Sequence, residues 1–184
     1  MEHAADPLAV LPDSVPAARL TDHVLLVGYG RVGSRIGRAL IDAGIPLVVA
    51  EDNRDLVEQL RGQGIPAVCG DATDIASALI QGHVARARLL VVAVPDAFAA
   101  RRMLEIARML KPDIRVVVRT HSSEEAELLL EEVPLLAREP RAPAQPTVEV
   151  AGHGRRQVDT EDRVLRRARQ TRRELLVLEP LGSE

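Results

Sequence analysis

Val24-Leu25-Leu26-Val27-Gly28-Tyr29-Gly30-Arg31-Val32-Gly33 is an apolar run that passes straight into a glycine loop and from there into a helical pattern. A chain cradles a phosphate in this way. Gly28 permits the sharp turn off the strand, Gly30 leaves no Cβ between the backbone and a pyrophosphate, and Gly33 lets the new helix lie close to the strand. The first N–H groups of that helix lack intrahelical partners and lie at the positive end of its dipole. An anion there gains about 0.3–1 kcal/mol before any side chain contributes.

The surroundings of the loop strengthen this reading. A helical stretch over 31–43 ends at Gly44, and a second apolar strand over 46–51 follows it. That strand terminates in Glu51, beside Asp52, at the distance of about 20 residues where an acid accepts hydrogen bonds from ribose hydroxyls. Glu51 also repels a 2′-phosphate, which favours AMP, ADP or NAD(H) over NADP(H), while Arg54 acts in the opposite sense. The alternative for the glycine triplet alone is a turn that holds no ligand.

The chain has 184 residues, enough for one domain and appendages. Apolar residues make up 46% of it and the only aromatic side chains are Tyr29 and Phe98, so the expected core is aliphatic. A net charge of −3 gives no global attraction to nucleic acid or anionic membranes. The single cysteine, Cys69, excludes an intrachain disulfide and fits a reducing compartment. No apolar stretch reaches the roughly 18–20 residues of a membrane span, and no signal-peptide pattern opens the chain. A cytoplasmic protein without direct membrane insertion is expected. His3, His23, His83, His121 and His153 are scattered without ligand spacing, so no metal site is expected.

Between Val24 and Glu132 short β-branched runs alternate with helix-period segments. The pattern predicts an α/β, Rossmann-like parallel sheet with helices on both faces. Strands are expected at 24–28, 46–51, 66–69, 88–94 and 114–119, and helices at 31–43, 54–62, 75–82, 97–110 and 123–132. Right-handed crossovers give the order 3-2-1-4-5, open to a sixth strand, with the ligand crevice between strands 1 and 4. Asp74 and Asp96 occupy N-cap positions, and Lys111-Pro112 ends the fourth helix. Residues 1–22 read as an extended lead-in, 23–132 as the nucleotide-binding domain, and 133–184 as an atypical Pro- and Arg-rich tail without a packed core. The arginines between Arg155 and Arg173 are interrupted by acids and lack aromatic partners, so a solvated segment is expected rather than a nucleic-acid surface.

Five motifs in order, Gly28-Tyr29-Gly30-Arg31-Val32-Gly33, Glu51, Gly70-Asp71-Ala72-Thr73, Val94-Pro95-Asp96 and Arg119-Thr120-His121, resemble the RCK N-terminal (TrkA-N) nucleotide-binding domain. The likeness is greatest to the cytoplasmic domain of Kef-type cation/proton antiporters and covers about residues 5–132. It implies a regulatory domain that binds AMP, ADP or NAD(H), performs no chemistry, and passes its occupancy to a membrane cation transporter or channel subunit. A homodimer, peripheral to the inner membrane through that partner, is also implied.

Carried over by position, the resemblance assigns phosphate to the glycine loop and Arg31, and ribose to Glu51. It sets Asp71 and Ala72 at the adenosine end, Val94 and Pro95 across the switch point, and Arg119 and His121 near the distal part of a larger ligand. Arg31 is alternatively a solvated helix-start residue, and Asp71 alternatively a turn cap. The family continues after its fifth helix with a glycine turn and a sixth strand. The change of composition at Val133 departs from that pattern and suggests a truncated or shifted reading frame. Two other function classes share the glycine loop: an NAD-dependent oxidoreductase fragment, which needs a substrate-holding region, and an NADH-sensing DNA-binding regulator, which needs a winged-helix segment.

Overall fold

The computed structural model describes residues 7–12, 15–16, 20–70 and 75–119, and the backbone of 147–151 and 174–178. Strand β1 (Val24–Val27) leads into helix α1 (Arg31–Asp42), followed by β2 (Leu47–Glu51), α2 (Arg54–Gly62), β3 (Ala67–Cys69), α3 (Ile75–Gln81), β4 (Leu89–Val92), α4 (Ala97–Leu110) and β5 (Arg115–Arg119). The expected order β3-β2-β1-β4-β5 is observed, with every pairing parallel. Four strand residues of β1 and four of β4 are fully covered, which explains their unbroken apolar sequence.

Alternation along the strands sorts the core into two layers. Leu25, Val27, Val48, Ala50, Leu90, Val92, Val116 and Val118 pack with Leu79 of α3 and Met103, Leu104 and Ala107 of α4. Val24, Leu26, Leu47, Val49, Leu89, Val91 and Val117 face the other way, against Ile36 and Leu40 of α1 and Val57 and Leu60 of α2. Each buried Val or Leu contributes roughly 1.5–3 kcal/mol.

The structure extends two sequence expectations. Beyond β5 the sheet continues with two further parallel strands, β6 (Thr147–Ala151) at the edge and β7 (Glu174–Leu178) between it and β5. Both strands lie in the segment 133–184, read from sequence as an atypical Pro- and Arg-rich tail. Its prolines and arginines dominate its average composition, whereas a strand needs only about five suitable residues, and Pro146 just ahead of β6 is compatible with a strand start. The described part of the lead-in, too, packs on the domain: Leu8 is buried with the α1/α2 layer and Leu11 with the α3/α4 layer. The expected helix 123–132 and the Asp74 cap lie outside the described residues.

His23, just ahead of β1, is fully buried and its Nε2–H donates to the carbonyl of Gly82 at 2.9 Å. Burial lowers its pKa, and the nearby charges of His83 and Lys111 act in the same direction, against the Gly82 carbonyl and Asp22. The unfolded chain therefore takes up this proton first as pH falls, so stability drops once pH passes below the ordinary value of 6.5. Urea unfolding at pH 7.5 and pH 5.5 is expected to show a lower midpoint at the acid pH, and His23→Gln, which keeps a donor for Gly82, is expected to shrink that difference. Equal pH sensitivity in both proteins would remove His23 as its cause.

Candidate functional site

The C-terminal ends of β1 and β4 part at the switch in strand order, and the glycine loop lies at this point. Gly28 takes φ +86°, and a Cβ there would stand 3.1 Å from Val94 Cγ1. The Gly28 N–H donates to Ala50 O on β2, while the Ala93 N–H donates to Val27 O from the β4 side. Gly33 is more constrained: a Cβ would come within 2.0 Å of the Gly28 carbonyl oxygen, a backbone atom that cannot move aside without moving the loop. Gly30 differs from both. Its φ is −66°, and nothing lies within 4 Å of where a Cβ would stand. The fold demands glycine at 28 and 33 and makes no such demand at 30.

Helix α1 starts without a side-chain cap and without an acid in its first turn. The other two α-helices whose starts are described carry side-chain caps. Asn53 accepts from the Leu56 N–H at the head of α2, and Asp96 accepts from the Phe98 and Ala99 N–H groups at the head of α4. The N-terminus of α1 is thus left electropositive and open toward the crevice. Arg31 is exposed at its first position. Arg119, at the end of β5, is partly buried, and its pKa is lowered by that burial and then by the charge of Arg31. Two guanidinium groups therefore share the rim.

Glu51 ends β2 with both carboxylate oxygens engaged. Oε2 accepts from the Tyr29 N–H at 2.5 Å, and Oε1 accepts from the N–H groups of Asp52 at 3.0 Å and Asn53 at 3.1 Å. The carboxylate ties the glycine loop to the head of α2. Burial raises its pKa, the side chain of Asp52 adds to the rise, and the Tyr29 and Asn53 N–H groups oppose it. A carboxylate so placed carries acceptor capacity beyond these three bonds and can share it with a hydroxyl.

Of the residues singled out from sequence, Gly28, Tyr29, Gly30, Arg31, Val32 and Gly33 lie at this crevice, with Glu51 and Asp52 at the end of β2 and Val94, beside Gly28, followed by Pro95 after β4. Tyr29 and Val32 do so through their backbone, for their side chains pack in the α1/α2 layer, where the Tyr29 ring lies against Gly37. Asp71, Ala72 and His121 fall outside the described residues. Sequence reasoning missed the contact between Glu51 and the loop, which joins residues 22 apart and leaves no periodic signal. A separate cleft of about 430 Å³ between α1 and α2 is lined by Ser34, Arg38, Asp42, Gln59 and Gln63 among others and meets the crevice only through Tyr29. Among the described residues no group of His, Cys, Asp and Glu could hold a metal ion, and no helix is long and apolar enough to cross a membrane.

The chain is 38% identical over 113 residues to YbaL of Escherichia coli K12, a protein named for cation/proton antiport, and the match covers 61% of this chain and 20% of YbaL. It is 33% identical over 96 residues to the glutathione-regulated potassium-efflux protein KefC of Cronobacter sakazakii, covering 52% of this chain and 15% of KefC. The chain thus spans a fifth or less of these relatives. The crystal structure of the TrkA-N domain of the inner-membrane protein YbaL superimposes with a TM-score of 0.57 at 38% identity, covering 60% of this chain and 82% of that one. The GsuK channel bound to NAD shares the fold, with a TM-score of 0.56 at 24% identity, over 72% of this chain and 22% of the channel. An imine reductase from Myxococcus stipitatus also shares it, at 22% identity and a TM-score of 0.51, over 64% of this chain and 38% of the reductase. The model of the TrkA-N domain matches residues 24–135, from the first strand of the sheet to just past the His121 motif, and the chain belongs to that family.

Proposed function

We propose that this chain is a regulatory nucleotide-binding module of a potassium or cation transport system, with AMP, ADP or NAD(H) as its ligand. The observation that carries the reading is the contrast within the glycine loop. Packing accounts for Gly28 and Gly33, whereas Gly30 faces open space beside an uncapped helix start and Arg31. A phosphate at that place takes the free N–H groups of α1, and Glu51 at the neighbouring strand end accepts from the ribose. Asp52 sits beside that acid, Val94 and Pro95 line the far side of the switch point, and Asp71, Ala72 and His121 complete the assignment. Membership of the TrkA-N family and kinship with antiporter and channel proteins support a membrane cation transporter or channel as partner, with the module on its cytoplasmic side. The module acts by its occupancy, as a homodimer, and not by chemistry.

An NAD-dependent oxidoreductase is the competing reading, since reductases share the fold. Steady turnover of NADH with simple aldehydes, ketones or imines would favour it.

Titration calorimetry with AMP, ADP, NAD(H) and NADP(H) tests the proposal. Micromolar binding of a nucleotide that lacks a 2′-phosphate is expected, with NADP(H) weaker. Glu51→Ala is expected to cost about 10–100-fold in affinity, the worth of a charge-assisted hydrogen bond. Gly30→Val is expected to abolish binding while leaving the melting profile near that of the wild type, whereas Gly33→Ala destabilises the fold by about 1–3 kcal/mol through the clash with Gly28. No binding to the folded wild-type chain would overturn the reading.

Glu51 also predicts a pH profile. Its carboxyl holds its proton to a higher pH than an ordinary glutamate at 4.5. Affinity for a ribose-bearing ligand is therefore expected to weaken with acidification above that ordinary value. In Glu51→Gln this component of the profile should be absent.

A further inference from the structure

The guanidinium of Arg61, in the last turn of α2, donates to backbone carbonyls from two separate segments. Its Nε donates to Ala67 O at 2.8 Å, at the start of β3. Nη1 donates to Pro7 O at 3.1 Å, and Nη2 to Leu8 O at 3.0 Å and Val10 O at 2.6 Å, all in the lead-in. The planar fork of arginine suits this task because it presents several donors in fixed directions, which an ammonium does not.

The lead-in so held lies along β3, the outermost strand on its side of the sheet, where Leu8 O accepts from the Cys69 N–H at 2.7 Å. Leu8 is buried in one core layer and Leu11 in the other, so the segment wraps the sheet edge and is anchored on both faces. Cys69 in turn is paired with Glu51 in the β2/β3 register, the Gly70 N–H donates to Glu51 O at 3.0 Å, and Cys69 Sγ lies 3.7 Å from Asp52 O. From the lead-in to the acid that grips the glycine loop there is one strand and one hydrogen bond on either side of it.

We propose that residues 7–11 form an output strap of the nucleotide site, latched by Arg61, so that ligand occupancy at Glu51 and docking of the lead-in on β3 stabilise each other. The inference rests on the nucleotide reading above. A ligand that engages Glu51 steadies the ends of β2 and β3, and with them the strand edge on which Leu8 is seated. Because coupling between two sites is reciprocal, an unlatched strap weakens the ligand as the ligand's absence loosens the strap.

The test uses the full chain with AMP and NADH as probes and two readouts, exchange of the Cys69 amide followed by NMR and affinity by calorimetry. Saturating nucleotide is expected to slow Cys69 exchange by at least about fivefold, the low end of typical coupling. Arg61→Gln is expected to lose a comparable factor in affinity, and so is Arg61→Lys, which keeps the charge without the fork. Leu8→Ser, which removes the strap's apolar anchor and leaves Arg61 in place, is expected to do the same and covers the case in which Arg61→Gln does not fold. Equal nucleotide affinity in wild type and folded variants, unchanged Cys69 exchange, or full rescue by lysine would overturn the strap while leaving the nucleotide site intact. Absence of binding to the folded wild-type chain would remove the nucleotide reading and the strap's role with it.

Discussion

The approach of Gly33 to the Gly28 carbonyl is the constraint from which the rest of the architecture follows. With no Cβ in the way, the first turn of α1 settles directly onto the end of β1. That contact sets where α1 begins, keeps the loop short, and aims the free end of the helix at the gap between β1 and β4. A larger residue at 33 would lift the helix, and the Tyr29 ring would lose its seat against Gly37. The glycines of the loop thus have unequal roles: Gly28 and Gly33 make room for protein, and Gly30 faces open space.

Electrostatic asymmetry then distinguishes this end of the molecule. Asn53 accepts from one N–H in the first turn of α2 and Asp96 from two in the first turn of α4, while α1 has neither a side-chain cap nor a first-turn acid. Two arginines gather near the open terminus, where the charge of Arg31 adds to burial in lowering the pKa of Arg119. Glu51 contributes the opposite charge a short distance away and holds the loop to α2 through the Tyr29 N–H. Positive and negative groups are therefore separated along the crevice.

The parallel five-strand order was readable from local pattern because each element carries its own signal. Val24–Val27 and Leu89–Val92 are apolar throughout since both faces are covered, and Asp96 announces the start of α4. Within the site, the glycine spacing and Glu51 were readable for the same reason. What escaped depends on contacts with no local signature. Arg61 finds backbone carbonyls more than fifty residues away in the chain, and a carbonyl looks the same whatever residue bears it. Thr147–Ala151 and Glu174–Leu178 are short runs inside a segment whose prolines and arginines set its average character. The division of labour among Gly28, Gly30 and Gly33 likewise emerges only when the space around each is known.

One consequence of Tyr29 is optical. The chain contains a single tyrosine and no tryptophan, so nearly all of its near-ultraviolet absorption and emission originates from one ring. That ring belongs to a residue that is 9% exposed and stands between the first two loop glycines, and whose own N–H is held by Glu51. The molecule carries a built-in chromophore at its own glycine loop, and its intrinsic fluorescence is a local signal from that loop with no label added.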